Sequence, residues 1–214
     1  MENVQNYIDG QWVQGNGNTI RRENPSKLHE TVCEWAQADA AQVAQAIDAA
    51  AAAAPIWRES TPQRRFDALD RIGNALLADQ QTLGRLLARE EGKTLAESIA
   101  EVGRAAQVFK FFAAEALRIQ GESMPSVRAD VHVDVSREPV GVVGLITPWN
   151  FPFAIPAWKI APALAYGNTV VFKPAELATA CAAALARIID EAAMPAGTFN
   201  MVLGEGAVVG QALV

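Results

Sequence analysis

Cysteine and histidine are scarce in this chain, with two of each in 214 residues. Two thiols are too few for a disulfide framework, and His29 and His132 lie too far apart in sequence to suggest a metal-ligand spacing, so no metal site is expected. Long apolar runs are missing as well. The Ala-rich stretch 49–54 is too short and too weakly hydrophobic to span a bilayer, and Met1-Glu2-Asn3-Val4-Gln5 has neither the basic region nor the apolar core of a secretion signal. No membrane partner is expected, and the cytoplasm is the expected compartment. Positive charge is not in excess either: 18 Lys and Arg are dispersed among 24 Asp and Glu, giving a net charge of −6 and a pI near 5.0. That balance offers no electrostatic footprint for nucleic acid. What remains is half hydrophobic and one-fifth charged, long enough to bury a sizeable core.

The first 38 residues read as short β-like pieces broken by Gly15-Asn16-Gly17-Asn18 and Asn24-Pro25, a hairpin entry. Helices follow. Asp39 with Gln42 forms a capping box, and Pro55 is expected to end that helix. Thr61 before Pro62 starts the next, with Phe66, Leu69, Ile72, Leu76 and Leu77 on one apolar face. Thr94 with Glu97 opens a long helix expected to run to about Ile119, with Leu95, Ile99, Val102, Phe109, Ala113 and Leu117 at helical spacing and Gly121 beyond its end. From Val127 to Ser136 valine or alanine alternates with polar residues, which predicts a strand apolar on one face only. Such a strand must be covered or paired, either as an edge within one subunit or between subunits.

Three non-alternating apolar runs come next, Val140 to Ile146, Thr169 to Phe172 and Phe199 to Leu203, separated by helix-like stretches around 153–166 and 178–193. This order predicts α/β architecture, a βαβαβ unit with a parallel sheet covered on both faces, its strand-end loops brought to one edge by right-handed crossovers. Ligands of such sheets collect at that edge. The loops there carry Thr147-Pro148-Trp149-Asn150-Phe151-Pro152, Lys173-Pro174-Ala175-Glu176 and Gly204-Glu205-Gly206 with Gly210 further on. Asn150 offers amide N–H donors to an anion or caps the following helix. Lys173 and Glu176 form a donor–acceptor pair suited to ribose hydroxyls, or a surface ion pair. Gly204-x-Gly206 lacks the full dinucleotide fingerprint and reads equally as a turn before a helix. Cys33 and Cys181, the latter in an Ala-rich helix with no basic neighbour, read as packed thiols and not as nucleophiles.

The motifs Asn6-Tyr7-Ile8-Asp9-Gly10-Gln11-Trp12, Glu91-Gly92-Lys93-Thr94, the long stretch from Arg137 to Glu176 and Gly197-Thr198-Phe199-Asn200, in that order, resemble the aldehyde dehydrogenase superfamily. The resemblance implies NAD(P)-dependent oxidation of an aldehyde to the acid, with Asn150 as the oxyanion donor. It implies a cofactor site of Ile146, Thr147, Pro148, Trp149, Asn150, Lys173, Pro174, Ala175, Glu176, Gly204, Gly206 and Gly210. Trp149 would line the nicotinamide side, unless it is a core aromatic. Glu176 favours NAD over NADP, since a carboxylate accepts from a 2′-hydroxyl and repels a 2′-phosphate. Family members place the cysteine nucleophile and glutamate base well beyond Gly206, so residues 1–214 are expected to be an amino-terminal part, inactive alone.

The organisation implied is an amino-terminal hairpin and helices of the cofactor domain over 1–125, an oligomerisation strand over 126–138 and a Rossmann-like NAD(P)-binding portion over 139–214. Homo-oligomers, dimers or tetramers, are the expected assembly. Overall likeness, including Arg89 to Leu95 and Val208 to Leu213, is greatest to α-ketoglutarate semialdehyde dehydrogenases within the superfamily. A succinate semialdehyde dehydrogenase, or a non-catalytic cofactor-binding or oligomerising module, are the alternatives.

Overall fold

The computed structural model describes residues 2–214, with no side-chain description for Glu2. Five strands form the central sheet in the order β3-β2-β10-β9-β8: Gln11–Val13, Asn6–Ile8, Phe199–Met201, Thr169–Lys173 and Val142–Ile146. β8, β9 and β10 run parallel, joined through α5 (Ala154–Ala165) and α6 (Thr179–Asp190), so the βαβαβ unit is present. Alternate side chains of β9 point to opposite faces. Val170 and Phe172 join the larger core, whereas Val171 joins a smaller cluster with Val43, Ala46 and Ala50 of α1 (Ala40–Arg58). The sheet thus lies between α1 on one face and α5 and α6 on the other. Behind α5 and α6 pack α2 (Pro62–Ala78), α3 (Gln80–Glu91) and α4 (Leu95–Ala116).

The amino-terminal hairpin, β2 and β3, belongs to this sheet. Asp9 and Gly10 both have positive φ, 51° and 74°, the left-handed pair that a two-residue hairpin turn needs. β2 then pairs antiparallel with β10. Asn200 and Asn6 fasten the junction: Asn200 Oδ1 accepts from the Asp9 amide at 2.9 Å, and Asn6 Oδ1 accepts from the Leu203 amide at 2.7 Å. A second sheet of order β1-β5-β4 (Glu2–Val4, Lys27–Ala36, Thr19–Asn24) packs its β5 on α6.

The capping boxes at Asp39/Gln42 and Thr94/Glu97 form as expected, and Thr61 caps α2. Other expectations need correction. α1 continues through Pro55 to Arg58, because Trp57 is fully buried and donates its indole N–H to Leu164 O at 3.0 Å. That tertiary contact outweighs the one hydrogen bond proline removes. α3 starts without a side-chain cap, which leaves it no local start signal, and ends on Gly92 with φ +96°, a left-handed cap that favours glycine. α4 ends at Ala116, short of Ile119, and Leu77, Leu95 and Leu117 are exposed despite their spacing.

The alternating stretch 127–136 is not one strand. Only His132–Val135 is β7, paired antiparallel with β6 (Glu122–Pro125), while 126–131 forms the connecting turn with Asp130 at φ +61°. Both strands of this hairpin are exposed on both faces. β9 and β10 are buried throughout, but β8 is not covered on both faces. It is the sheet's edge here, and Val142 and Ile146 stand 37% and 48% exposed. No helix among the described residues is long and apolar enough to cross a membrane.

Candidate active site

Register brings the carboxyl ends of the parallel strands level: Ile146 lies opposite Lys173, and Phe172 opposite Met201. The Thr147 amide donates to Lys173 O at 3.3 Å, so the first two loops leave the sheet side by side. All three loops therefore open on one edge, as the crossover rule requires.

In the first loop, Pro148, Trp149, Asn150 and Phe151 are all exposed. Trp149, at 48%, is not a core aromatic. Asn150 does not cap α5, whose amino terminus receives no local side-chain cap. The orphan amides of that helix are met from a distance: Glu101 of α4 accepts from the Phe153 and Ala154 amides at 2.9 and 3.3 Å through one carboxylate oxygen. Its other oxygen binds Lys93 Nζ at 2.7 Å, and Lys93 in turn donates to the Asn150 carbonyl at 2.7 Å. Lys93 also lies 4.3 Å from the centre of the Phe151 ring and 3.6 Å from Glu91. A buried carboxylate and its lysine thus grip the peptide on both sides of the loop, while the Asn150 amide makes no hydrogen bond among the described residues. Its donors are free for an anion.

A parallel device serves α6. Glu90, fully buried, accepts from the Ala180 and Cys181 amides at 2.7 Å each. Burial pushes its carboxyl above the ordinary carboxylate value, outweighing those bonds. Sequence reasoning missed both glutamates. Glu101 carried a signal: it shares a helical face with Ser98, Val102 and Ala105, all buried, and an acid on an apolar face needs partners. Glu90 sits in a charged Arg-Glu-Glu run and showed no comparable sign.

In the second loop Lys173 is 3% exposed, so its pairing with Glu176 is no ordinary surface ion pair. Lys173 Nζ donates to Glu176 Oε1 at 2.9 Å and to Pro174 O at 3.1 Å. Burial pushes the Glu176 carboxyl up, but the bond from Lys173, its own amide and the Gly206 amide outweigh this and hold it below the ordinary value. The third loop therefore reaches the second through Gly206. Gly210 closes on the lysine stem, where a Cβ would sit 4.0 Å from Lys173 Cδ. Gly204 is a true close approach: an added Cβ would lie 2.3 Å from Val209 Cγ2. Gly206–Gly210 folds as a single wide helical turn, and the Gly206 Cα faces open space. Lys173, Glu176, Gly206 and Gly210 are thus brought together, with Pro174 buried and Ala175 partly exposed beside them. Asn150 shares the sheet edge but contacts the Lys93–Glu101 pair instead.

Both thiols are fully buried. Burial, reinforced by the neighbouring Glu90 carboxylate, pushes the Cys181 thiol well above its ordinary pKa, the opposite of what a nucleophile needs.

The aldehyde dehydrogenase family matches residues 12–214. An alpha-ketoglutaric semialdehyde dehydrogenase of Bacillus subtilis is 41% identical over 210 residues, covering 97% of this chain and 43% of its own length. Among solved structures, an E. coli NADP dependent enzyme superposes with TM-score 0.95 at 39% identity, covering 99% of this chain and 44% of that one. An NAD-dependent aldehyde dehydrogenase from Sinorhizobium meliloti gives 0.94 at 36% identity, over 99% of this chain and 42% of its own. The chain spans less than half the length of these relatives. A match across nearly the whole sequence, on the same fold, means that the chain belongs to the aldehyde dehydrogenase family.

Proposed function

We propose that these residues form the cofactor-binding part and the oxyanion donor of an NAD(P)-dependent aldehyde dehydrogenase acting on a semialdehyde that carries a distal carboxylate, with α-ketoglutarate semialdehyde the best candidate. The observation that carries this reading is the unpaired Asn150 amide, presented at the strand-end edge by a loop that Lys93 and Glu101 hold at 2.7–3.3 Å. The same edge fits a dinucleotide. Glu176 remains about one-third exposed beside Lys173, Gly206 offers open backbone, and Lys173 keeps one N–H beyond the two it uses. Lys173 and Glu176 would hold ribose hydroxyls, the Gly204–Gly210 turn would meet the adenosine end, and Ile146, Thr147, Pro148 and Trp149 would lie against the nicotinamide. When bound, NAD(P) would supply the hydride acceptor; Glu176 favours NAD.

The chemistry assigned to Asn150 is electrostatic. A thiolate, which neither Cys33 nor Cys181 supplies, forms a bond to the aldehyde carbon while the C=O π electrons move to oxygen. Asn150 Nδ2–H donates to that oxygen as its charge develops, so the stabilisation is larger in the transition state than in the ground state. The fixed loop means that no reorganisation is required at that moment.

The β6–β7 hairpin, with Val131, Val133 and Val135 between 38% and 48% exposed, is read as the segment through which copies of the protein assemble, since an exposed two-stranded hairpin is marginal by itself. In the full-length protein Asn150→Ala should cut kcat for α-ketoglutarate semialdehyde with NAD about 100- to 1000-fold. A change below about threefold would reject the oxyanion role.

A further inference from the structure

The turn Gly15-Asn16-Gly17-Asn18 lies far in sequence from the strand-end loops, yet it fixes a residue that touches one of them. The Gln37 amide donates to Asn18 O at 3.1 Å, and the Gln37 carbonyl accepts from the Gly17 amide at 2.8 Å. Gly15 permits this approach, since an added Cβ would lie 2.2 Å from Ala36 O and 2.3 Å from Gln37 O. Gln42 ties the same turn to the start of α1, accepting from the Asn16 amide at 3.0 Å and donating to Gln14 O at 2.8 Å. The backbone of Gln37 is therefore held in both directions, and its side chain is left to reach elsewhere.

It reaches the third loop. Gln37 Oε1 accepts from the Glu205 amide at 3.2 Å. Two residues earlier, Leu203 donates to Asn6 Oδ1 at 2.7 Å and accepts from the Ala38 amide at 2.7 Å. Asn6 is fully buried, and its Nδ2 has no hydrogen-bond partner among the described residues. A buried orphan donor is costly and an apolar residue would avoid it, so the position is used for the acceptor that meets Leu203. The amino-terminal segment thus fixes both ends of Leu203-Gly204-Glu205. The consequence extends to Glu176. Glu205 O accepts from the Val208 and Val209 amides at 3.1 and 2.9 Å and starts the wide turn. The N–H of the same planar peptide, on Gly206, faces the opposite way, where it donates to Glu176.

We infer that Gln37 is a positioning residue for cofactor recognition, acting through the Glu205–Gly206 peptide to hold Glu176 where it meets a ribose of the dinucleotide. This rests on the dinucleotide reading above and adds to it a residue from outside the parallel strands. Because the peptide is rigid, fixing the Glu205 amide fixes the direction of the next N–H within the limits of one backbone residue. Without the Gln37 bond that peptide is free to rotate, and Glu176 loses its tie to the third loop.

The test measures the Kd for NAD by quenching of tryptophan fluorescence in the full-length protein, a binding readout that needs no turnover. Gln37→Met should raise Kd about fivefold, the effect of losing one hydrogen bond. Gln37→Glu keeps the oxygen acceptor and should stay within about twofold of the natural protein at high salt, where the added charge is screened. In a Glu176→Ser background Gln37→Met should change Kd by less than about twofold, because the group it positions is gone. A merely structural role would give the same factor in both backgrounds. That result, a Gln37→Glu as weak as Gln37→Met, or a shift under about twofold for Gln37→Met in the natural background, would overturn the assignment. If the natural protein binds neither NAD nor NADP, the dinucleotide reading fails and the Gln37 assignment with it. If Glu176→Ser weakens NAD binding while Gln37→Met does not, only the latter fails.

Discussion

Replacing Glu101 by alanine tests whether one buried carboxylate holds the active loop. The substitution removes two hydrogen bonds from helix amides to an ionised acceptor and the 2.7 Å ion pair with Lys93, whose side chain is 13% exposed. Hydrogen bonds to charged groups contribute about 1.5–3 kcal/mol each, and breaking a buried pair costs about 3–5 kcal/mol. The two figures describe overlapping contacts and do not add. Glu91, 3.6 Å from Lys93, takes up part of the stranded charge, so the expected loss is about 3–4 kcal/mol, a large part of a typical stability of about 5–15 kcal/mol. Glu101→Gln keeps a neutral acceptor for the amides and should lose about 1–2 kcal/mol. Urea denaturation followed by far-UV circular dichroism would read both. A loss under about 1 kcal/mol for Glu101→Ala, or equal losses for both variants, would show that the carboxylate neither caps α5 nor balances Lys93.

Lys93→Met should leave α5 capped but release the Asn150 carbonyl, lowering kcat about tenfold or more with KM nearly unchanged; a KM effect alone would contradict the positioning role. Glu176→Ser should move the kcat/KM ratio for NADP over NAD upward by about tenfold, since the carboxylate proposed to meet the ribose is removed; an unmoved ratio would mean that Glu176 does not read the ribose. Glu90 has a raised folded-state pKa, so its contribution to stability is fully present below its ordinary value of 4.5 and is lost as pH rises through the folded value. Stability of the natural protein relative to Glu90→Gln should therefore fall with rising pH across that window, and parallel curves would refute it. Cys33 and Cys181 should resist iodoacetamide at neutral pH until denaturant is added; labelling of Cys181 in the folded protein would reopen its candidacy as a nucleophile.

The sequence by itself determined the elements whose signals are local. Capping boxes at Asp39 and Thr94 and the Thr61-Pro62 start form where the residues say, because each is decided by hydrogen bonds within a few positions. The β-branched run at Thr169–Lys173 announced a strand buried on both faces, and the order of runs and helices was enough to send three loops to one edge. Tertiary structure decided the rest. Trp57 carries α1 past Pro55 because its burial against Leu164 outweighs a lost backbone bond, and no local pattern contains Leu164. The valines of 127–135 alternate as a strand should, yet the Asp130 turn folds half of them out of it and leaves the rest facing solvent, since none of the described residues covers them. β8 reads as a central strand, but its place at the edge is set by which neighbours pair with it. Asn150 was legible as a donor from its loop. The Lys93–Glu101 clamp that orients it was not, because those groups meet Asn150 and the α5 amides across about fifty positions of sequence, and only the packing of α4 on α5 brings a carboxylate to a helix end that has no cap of its own.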